Sequence, residues 1–328
     1  MDVRRFTPDD TRTVTEVVEL RNAAAKVDAP FEHPLTVHQY AGMLRHGWDG
    51  EAPEPYAAWD GGRLVGVLEL HTSEWDNTHL AWLDLLVHPD LRGAGRGTEL
   101  LGFARERAVE LGRSSLGAFG WDIASTRRFA DRHAFPVKGT AIKRRQTLTG
   151  IDRDGLARLY DEALGAAHGY ELVRIAGATP PEMLEAVAEM TAAINDAPTD
   201  DLDIEDEVFP AERVASYEAA QIARGHHLYR VVARHRETGE LAGHTVVAVD
   251  GERPWLGDQH DTSVVGRHRG HRLGVLVKAE MLRWLEQAEP ELRTIDTWNM
   301  ESNDHMIGVN ELLGYEVLAR ELQLQRDA

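Results

Sequence analysis

The sequence predicts an α/β protein of two similar domains in tandem, each a mixed, mostly antiparallel sheet flanked by helices. Two observations carry this. A strand, a basic glycine-rich turn and a helix start stand together at residues 87–97 (VHPDLRGAGRG) and recur in altered form at 264–274 (VVGRHRGHRLG). The elements around the first copy also recur in the same order around the second, and such repetition fixes the architecture before any motif is named. A length of 328 residues fits two domains of roughly 150–170 residues. The expected domains are 1–150 and 169–328, joined by a helical linker at 151–168.

The elements follow in order. A period-2 segment opens the chain at 3–6, and 11–25 has helical spacing. Residues 31–48 are mixed and read as helix with loops. Strands at 56–59 and 64–71 flank Asp60-Gly61-Gly62, a hairpin signal. Residues 80–87 are apolar almost throughout, as in the centre of a sheet. A helix at 98–111 places Leu100, Leu101, Ala104, Ala108 and Leu111 on one face. A strand at 114–121, a helix at 123–133 and a strand at 137–148 close the first half. The second half repeats the order: strand 171–175, helix 180–194 with Pro180 and Pro181 in its first turn, and paired strands 228–235 and 241–249. Strand 261–265, helix 275–287, strand 294–298, helix 306–313 and strand 316–322 complete it.

Composition narrows the function. The chain has no cysteine, which removes disulfides, thiolate nucleophiles and Cys-type metal sites. A net charge of −19 argues against nucleic acid and anionic membrane surfaces as partners. It fits attraction of cationic amines, and equally plain solubility. No apolar run approaches the roughly 20 residues of a membrane span, and the N-terminus has no apolar signal region, so a cytoplasmic location is expected. Sixteen histidines form no HExxH-like pair, and no metal site is expected.

Each glycine-rich turn reads as an anion cradle, because free N–H groups and the helix dipole converge at a helix start. Walker A is excluded for want of Gly-Lys-Ser/Thr, and the spacing Gly93-x-Gly95-x-Gly97 is not that of a dinucleotide fold. The motif V-x-P-x-x-R-G-x-G-x-G at 87–97 and the N-x-x-M-x-x-V-N-x-x-L-G-Y run at 303–315 resemble the GCN5-related N-acetyltransferase (GNAT) family. The resemblance covers both halves and is of the tandem type. It implies two acyl-CoA N-acyltransferase domains and acetyl-CoA as cosubstrate. The residues it implicates in CoA binding are Leu85, Val87, Arg92, Gly93, Ala94, Gly95, Arg96 and Gly97 in the first half. In the second they are Val264, Arg269, Gly270, His271, Arg272, Leu273, Gly274, Asn303 and Asn310. The chain also departs from the family. Arg272 replaces the central glycine, where its side chain is expected to crowd the turn. Asn310 stands where many members have tyrosine, Phe129 falls near that place in the first half, and Ala134 replaces a glycine.

Amine acetylation needs a base for the ammonium proton and a donor to the thioester carbonyl, such as an N–H at a strand kink. Asp84 and Asp261 each lie three residues before the cradle valine and are the candidate bases. The alternative is a strand-end aspartate bonded to nearby backbone. Arg92, Arg96, Arg269 and Arg272 can face pyrophosphate, and His268 and His271 sit where a phosphate role fits. The acidic run at 196–207 is either an attractor for a cationic acceptor or a solvated loop. The function expected is direct acetyl transfer in a ternary complex to a primary amine of a small molecule. A CoA-binding scaffold without catalysis, or one active and one structural half, are the rivals. The tandem supplies an internal pseudo-dimer, so the protein is expected as a monomer or homodimer.

Overall fold

Alternating and helical periods resolve as twelve strands and nine helices in a computed structural model that describes residues 1–328. In chain order these are β1 (Asp2–Arg5), α1 (Thr11–Asp28), α2 (Val37–His46), β2 (Glu54–Asp60), β3 (Arg63–His71), β4 (Leu80–Val87), α3 (Arg96–Glu110), β5 (Ser115–Trp121), α4 (Ala124–Arg132) and β6 (Val137–Thr147). Then come α5 (Arg153–Ala166), β7 (Tyr170–Ala176), α6 (Leu184–Thr191), α7 (Ala211–Ala223), β8 (His226–His235), β9 (Leu241–Asp250), β10 (Leu256–Val264), α8 (Leu273–Ala288), β11 (Thr294–Met300), α9 (Asp304–Leu312) and β12 (Tyr315–Asp327). The α/β class with mostly antiparallel pairing is as expected. No helix is long and apolar enough to cross a membrane.

The chain forms two compact units, and their boundaries differ from those read from the sequence. The first takes Met1–Ala141, Thr199–Glu205 and Ala319–Ala328; the second takes Ile142–Pro198 and Asp206–Leu318. A linear reading cannot see this, because strand pairing rather than chain order assigns a segment to a sheet.

In the first unit β1, β2, β3 and β4 pair antiparallel in turn, and β4 pairs parallel with β5. Residues 321–327 of β12 then pair antiparallel with β5. Helix α3 packs Leu100, Ala104 and Ala108 on one side of the sheet. The helices α1 and α2 pack Val14, Val17, Tyr40 and Leu44 among their own core residues. Helix α2 begins at a capping box in which Thr36 and Gln39 satisfy each other's backbone N–H, which fixes where the mixed 31–48 stretch turns helical.

In the second unit β7, β8, β9 and β10 pair antiparallel, and β10 pairs parallel with β11. Helix α8 is buried along most of its length, and its Leu273, Leu276, Met281 and Leu285 form the main core with β8, β9 and β11. The expected helix at 180–194 is broken into a 3-10 turn at Pro181–Met183, α6, and a second 3-10 stretch at Ala192–Asp196.

Candidate active site

Both glycine-rich turns have the same construction. The strand ends, one 3-10 turn follows (Pro89–Leu91 or Gly266–His268), and α3 or α8 begins. The first turn has Gly93 at φ 81° and Gly95 at φ 84°; the second has Gly270 at φ 86° and Arg272 at φ 57°. Arg272 therefore keeps the left-handed conformation of the glycine it replaces, which costs an L-residue about 1–2 kcal/mol. The expected crowding does not occur, since its side chain leaves the turn and meets Glu162 of α5 at 3.2 Å. Neither helix has a side-chain N-cap bond, so first-turn N–H groups are left for an anion. A Cβ at Gly93, Gly95, Gly270 or Gly274 would meet nothing within 4 Å, so both turns open outward.

The paired arginines also match. Arg92 Nε donates to the Val87 carbonyl at 3.1 Å and its guanidinium forks onto Asp28 at 2.8 and 2.5 Å. Arg269 Nε donates to the Val264 carbonyl at 3.1 Å and its guanidinium meets Asp196 at 2.5 Å. Arg96 is held by Asp60 at 2.7 Å. The remaining positions are less alike. Ala94 sits in the open first turn, while its counterpart His271 is exposed beside the Tyr170 ring, 5.4 Å away. Gly97 has the Phe129 ring 3.0 Å from where its Cβ would be. Val87 and Leu273 are buried in their cores, with Leu85 and Val264 partly buried against them. Asn303 accepts from Met306 N at 3.1 Å, capping α9. His268 is not a phosphate ligand: it is buried, with Nδ1 3.0 Å from the Tyr170 hydroxyl and Nε2 3.1 Å from Glu240.

The two aspartates differ sharply. Asp84 lies in a regular β3–β4 ladder opposite Glu69. Arg21 of α1 pairs with Asp84 at 2.9 Å and also with Glu69, which accepts from the Tyr40 hydroxyl at 2.7 Å. Burial pushes the Glu69 carboxyl up, but Arg21, His71 and Tyr40 outweigh it and hold it below the ordinary range. Asp84 is thus tied into an internal charge cluster. Asp261 instead sits in a bulge: Gln259 faces Val247 and Thr262 faces Thr245, so β10 has one residue more than β9 across that step. The Val246 carbonyl within the step is taken by Gln259 Nε2 at 2.6 Å. A bulge of this kind takes one residue out of the regular ladder and re-aims its backbone toward the cavity side of the strand. Asp261 closes no ion pair, and burial pushes its carboxyl above the ordinary range, against the pull of Arg230.

One cavity of about 1230 Å³ joins these features in the second unit. Asp261, Arg269, Gly270, Arg272, Lys278 and Asn299 are among the residues on its wall. His260, also on the wall, has Nδ1 2.5 Å from the Tyr217 hydroxyl, and burial with nearby His226 and Arg224 brings it down to about 3. It is neutral and a poor base at pH 7. Lys278 of α8 is 2% exposed, and its Nζ donates to Asn310 Oδ1 at 2.6 Å. Burial lowers its ammonium to about 7.

The acidic run divides. Asp196 lines the cavity, already bound to Arg269. Thr199–Glu205 belongs to the first unit. There Asn77 exchanges side-chain and backbone bonds with Glu205, and Gln325 brackets Asp203 with bonds of 2.7 and 2.9 Å. The segment is fixed through its backbone, which neither reading of the run anticipated.

Sequence reasoning missed Gln259, Arg21 and Lys278. A lysine inside the apolar run of α8 was a visible signal for the last. The other two depend on neighbours distant in sequence.

Residues 16–135 match the model of the acetyltransferase (GNAT) family. A mycothiol acetyltransferase of Stackebrandtia nassauensis is 34% identical over 152 residues, which take in 44% of this chain and 47% of that protein. The match thus spans about half the length of the curated relative. A tandem GNAT protein from the clavulanic acid biosynthesis pathway superposes with a TM-score of 0.81 at 28% identity, covering 99% of this chain and 98% of that one. A GCN5-related N-acetyltransferase from Sphaerobacter thermophilus shares the fold, with a TM-score of 0.72 at 15% identity and 99% and 95% coverage.

Proposed function

We propose that this chain, a tandem member of the GNAT acetyltransferase family, moves an acetyl group from acetyl-CoA to a primary amine of a small molecule, and that its second unit does so. One observation carries the reading: a single cavity joins the anion cradle, a strand bulge and a carboxylate that closes no ion pair. The pyrophosphate would lie at the α8 start, held by first-turn N–H groups with Arg269 and Arg272 beside it. The thioester carbonyl would meet the bulge N–H, which strengthens its bond as the oxygen becomes anionic. Asp261, directly or through water, would take the amine proton, and its raised affinity for protons suits that task. With no cysteine in the chain, direct attack is favoured over a thiol-borne acyl-enzyme. The first unit is the structural partner, since Asp84 is neutralised by Arg21 and its strand has no bulge.

Thiol release from acetyl-CoA with a panel of primary amines tests this. Wild-type protein turns over with at least one amine, Asp261→Asn loses most of that rate, and Asp84→Asn keeps it. Silence with every amine would leave a CoA-binding scaffold as the better reading.

A further inference from the structure

Lys278 is a buried cation with no carboxylate on it. It lies on the second turn of α8, and its Nζ bonds Asn310, whose amide bonds Asn299 Oδ1 at 2.6 Å. The Tyr315 ring lies 4.7 Å from Nζ. Lys278 and Asn299 share the cavity wall with Asp261 and Arg269. A Leu or Met of similar length would pack there without the cost of an unpaired buried ammonium, so packing does not explain the residue. The first unit makes the point directly. The offset that carries Arg92 onto Arg269 carries Leu101 onto Lys278, and the turns ending α4 and α9 align Ala130 with Asn310. Both first-unit positions are apolar, so the fold does not require the polar pair.

We propose that Lys278, held by Asn310, is the proton donor to the sulfur that leaves acetyl-CoA in the second unit. The inference rests on the acetyl-transfer reading above. As the amine nitrogen bonds the carbonyl carbon, the C–S bond breaks and its electron pair goes to sulfur. The Lys278 ammonium gives sulfur one proton, forming the CoA thiol, and the neutral Nζ regains a proton from water. Burial brings the ammonium to about 7, below the roughly 8.5 of an ordinary thiol, so the transfer runs downhill. The surrounding groups leave it that role. Tyr315 of β12 is kept protonated by burial, and Asp296 of β11 is bound by Arg145 and Lys143. Glu280 on α8 itself is bound by Arg174, and Glu162 of α5 by Arg272. On β8 Arg230 is bound by Glu218, and His244 of β9 is kept neutral by burial. On β10, His260 is neutral and Asp261 faces the amine's proton.

Lys278→Met and Lys278→Arg test it, with calorimetry of CoA binding confirming that each variant is folded. We expect kcat with acetyl-CoA to fall about 10- to 100-fold in both, with KM within about twofold. We also expect loss of the wild-type decline in kcat above about pH 7. Arginine keeps the charge but cannot give up a proton near neutrality, so full rescue by Lys278→Arg would overturn the assignment. Acetylated Lys278 as the main product would overturn it too, making the lysine an acceptor. An unchanged kcat and pH profile in Lys278→Met would sink the proton donor alone, whereas silence of the wild-type protein with every amine would sink the acetyl-transfer reading.

Discussion

Two aspartates occupy the same place before two similar turns, and their surroundings differ. In the first unit the ladder is regular and Asp84 closes onto Arg21, with Glu69 and Tyr40 behind it. In the second unit an extra residue opens the ladder, Gln259 covers the carbonyl left over, and Asp261 faces a cavity. One backbone insertion separates a carboxylate closed onto an arginine from one that faces a cavity. The two units thus share the turn and diverge in the strand that leads into it.

The strongest way to break this comparison is to exchange charge for amide at both sites. Asp261→Asn should lower kcat/KM by about 10²–10⁴, the range for loss of a general base. Asp84→Asn should leave it within about threefold. The acidic limb of the wild-type kcat/KM profile should lie above the ordinary carboxylate range, since burial raises the Asp261 pKa and only its ionised form accepts a proton. Equal losses in the two variants would make both units catalytic.

The second prediction reverses the readout. Arg21→Ala removes one member of a buried cluster in which Glu69 has no exposed surface. It should destabilise the protein by about 3–5 kcal/mol, because the buried Glu69 loses its arginine and keeps only the Tyr40 hydroxyl and His71 beside it. Chemical denaturation measures the loss, and kcat at a temperature where the variant is folded should be nearly unchanged. A large drop in kcat would return catalysis to the first unit.

What the sequence made legible follows from how local each signal is. Most helix periods, the apolar β4 and both cradles are set by neighbours within a few residues and fall where the pattern puts them, whereas the helix expected at 180–194 is broken and α7 was not read at all. The first half of β10 was not legible as a strand. Its run LGDQHDTSV mixes polar cavity-lining residues with one bulge residue, so neither alternation nor an apolar stretch marks it. The Arg21–Asp84 pair spans 63 residues of sequence, and no local pattern encodes it. Asp28 and Asp196, which hold the two cradle arginines, are equally remote. The unit boundaries escaped for the same reason, since 199–205 and 319–328 join the first unit through pairing.

The third prediction concerns Leu101 and Lys278. Lys278 binds its proton at about 7 in the folded protein and at its ordinary 10.5 when unfolded. Between those values the unfolded chain carries a proton that the native state does not, so stability rises with pH across that window. Lys278→Met should abolish this slope and stabilise the protein at neutral pH by on the order of 4 kcal/mol. The gain should vanish above about pH 10.5. Denaturation midpoints of both proteins at pH 7 and pH 10.5 give the comparison. A gain that persists at the higher pH would mean the lysine is disfavoured by its shape rather than its charge.

The smallest effect tests the turns themselves. Gly95 and Arg272 share a left-handed backbone, at φ 84° and 57°, but only one of them is glycine. Gly95→Ala introduces a side chain into that conformation and should cost about 1 kcal/mol, although nothing stands within 4 Å of the new Cβ. Arg272→Gly relieves the same strain but gives up the exposed Glu162 pair and adds backbone freedom to the unfolded chain, so stability should move by less than about 0.5 kcal/mol. Its CoA affinity should fall modestly, because one cation leaves a cradle whose N–H groups stay in place. A gain of stability with a loss of affinity would show that the second turn holds a strained arginine for its charge. A gain with affinity unchanged would mean that Arg272 serves the α5 contact, and that the two cradles bind anions through backbone alone.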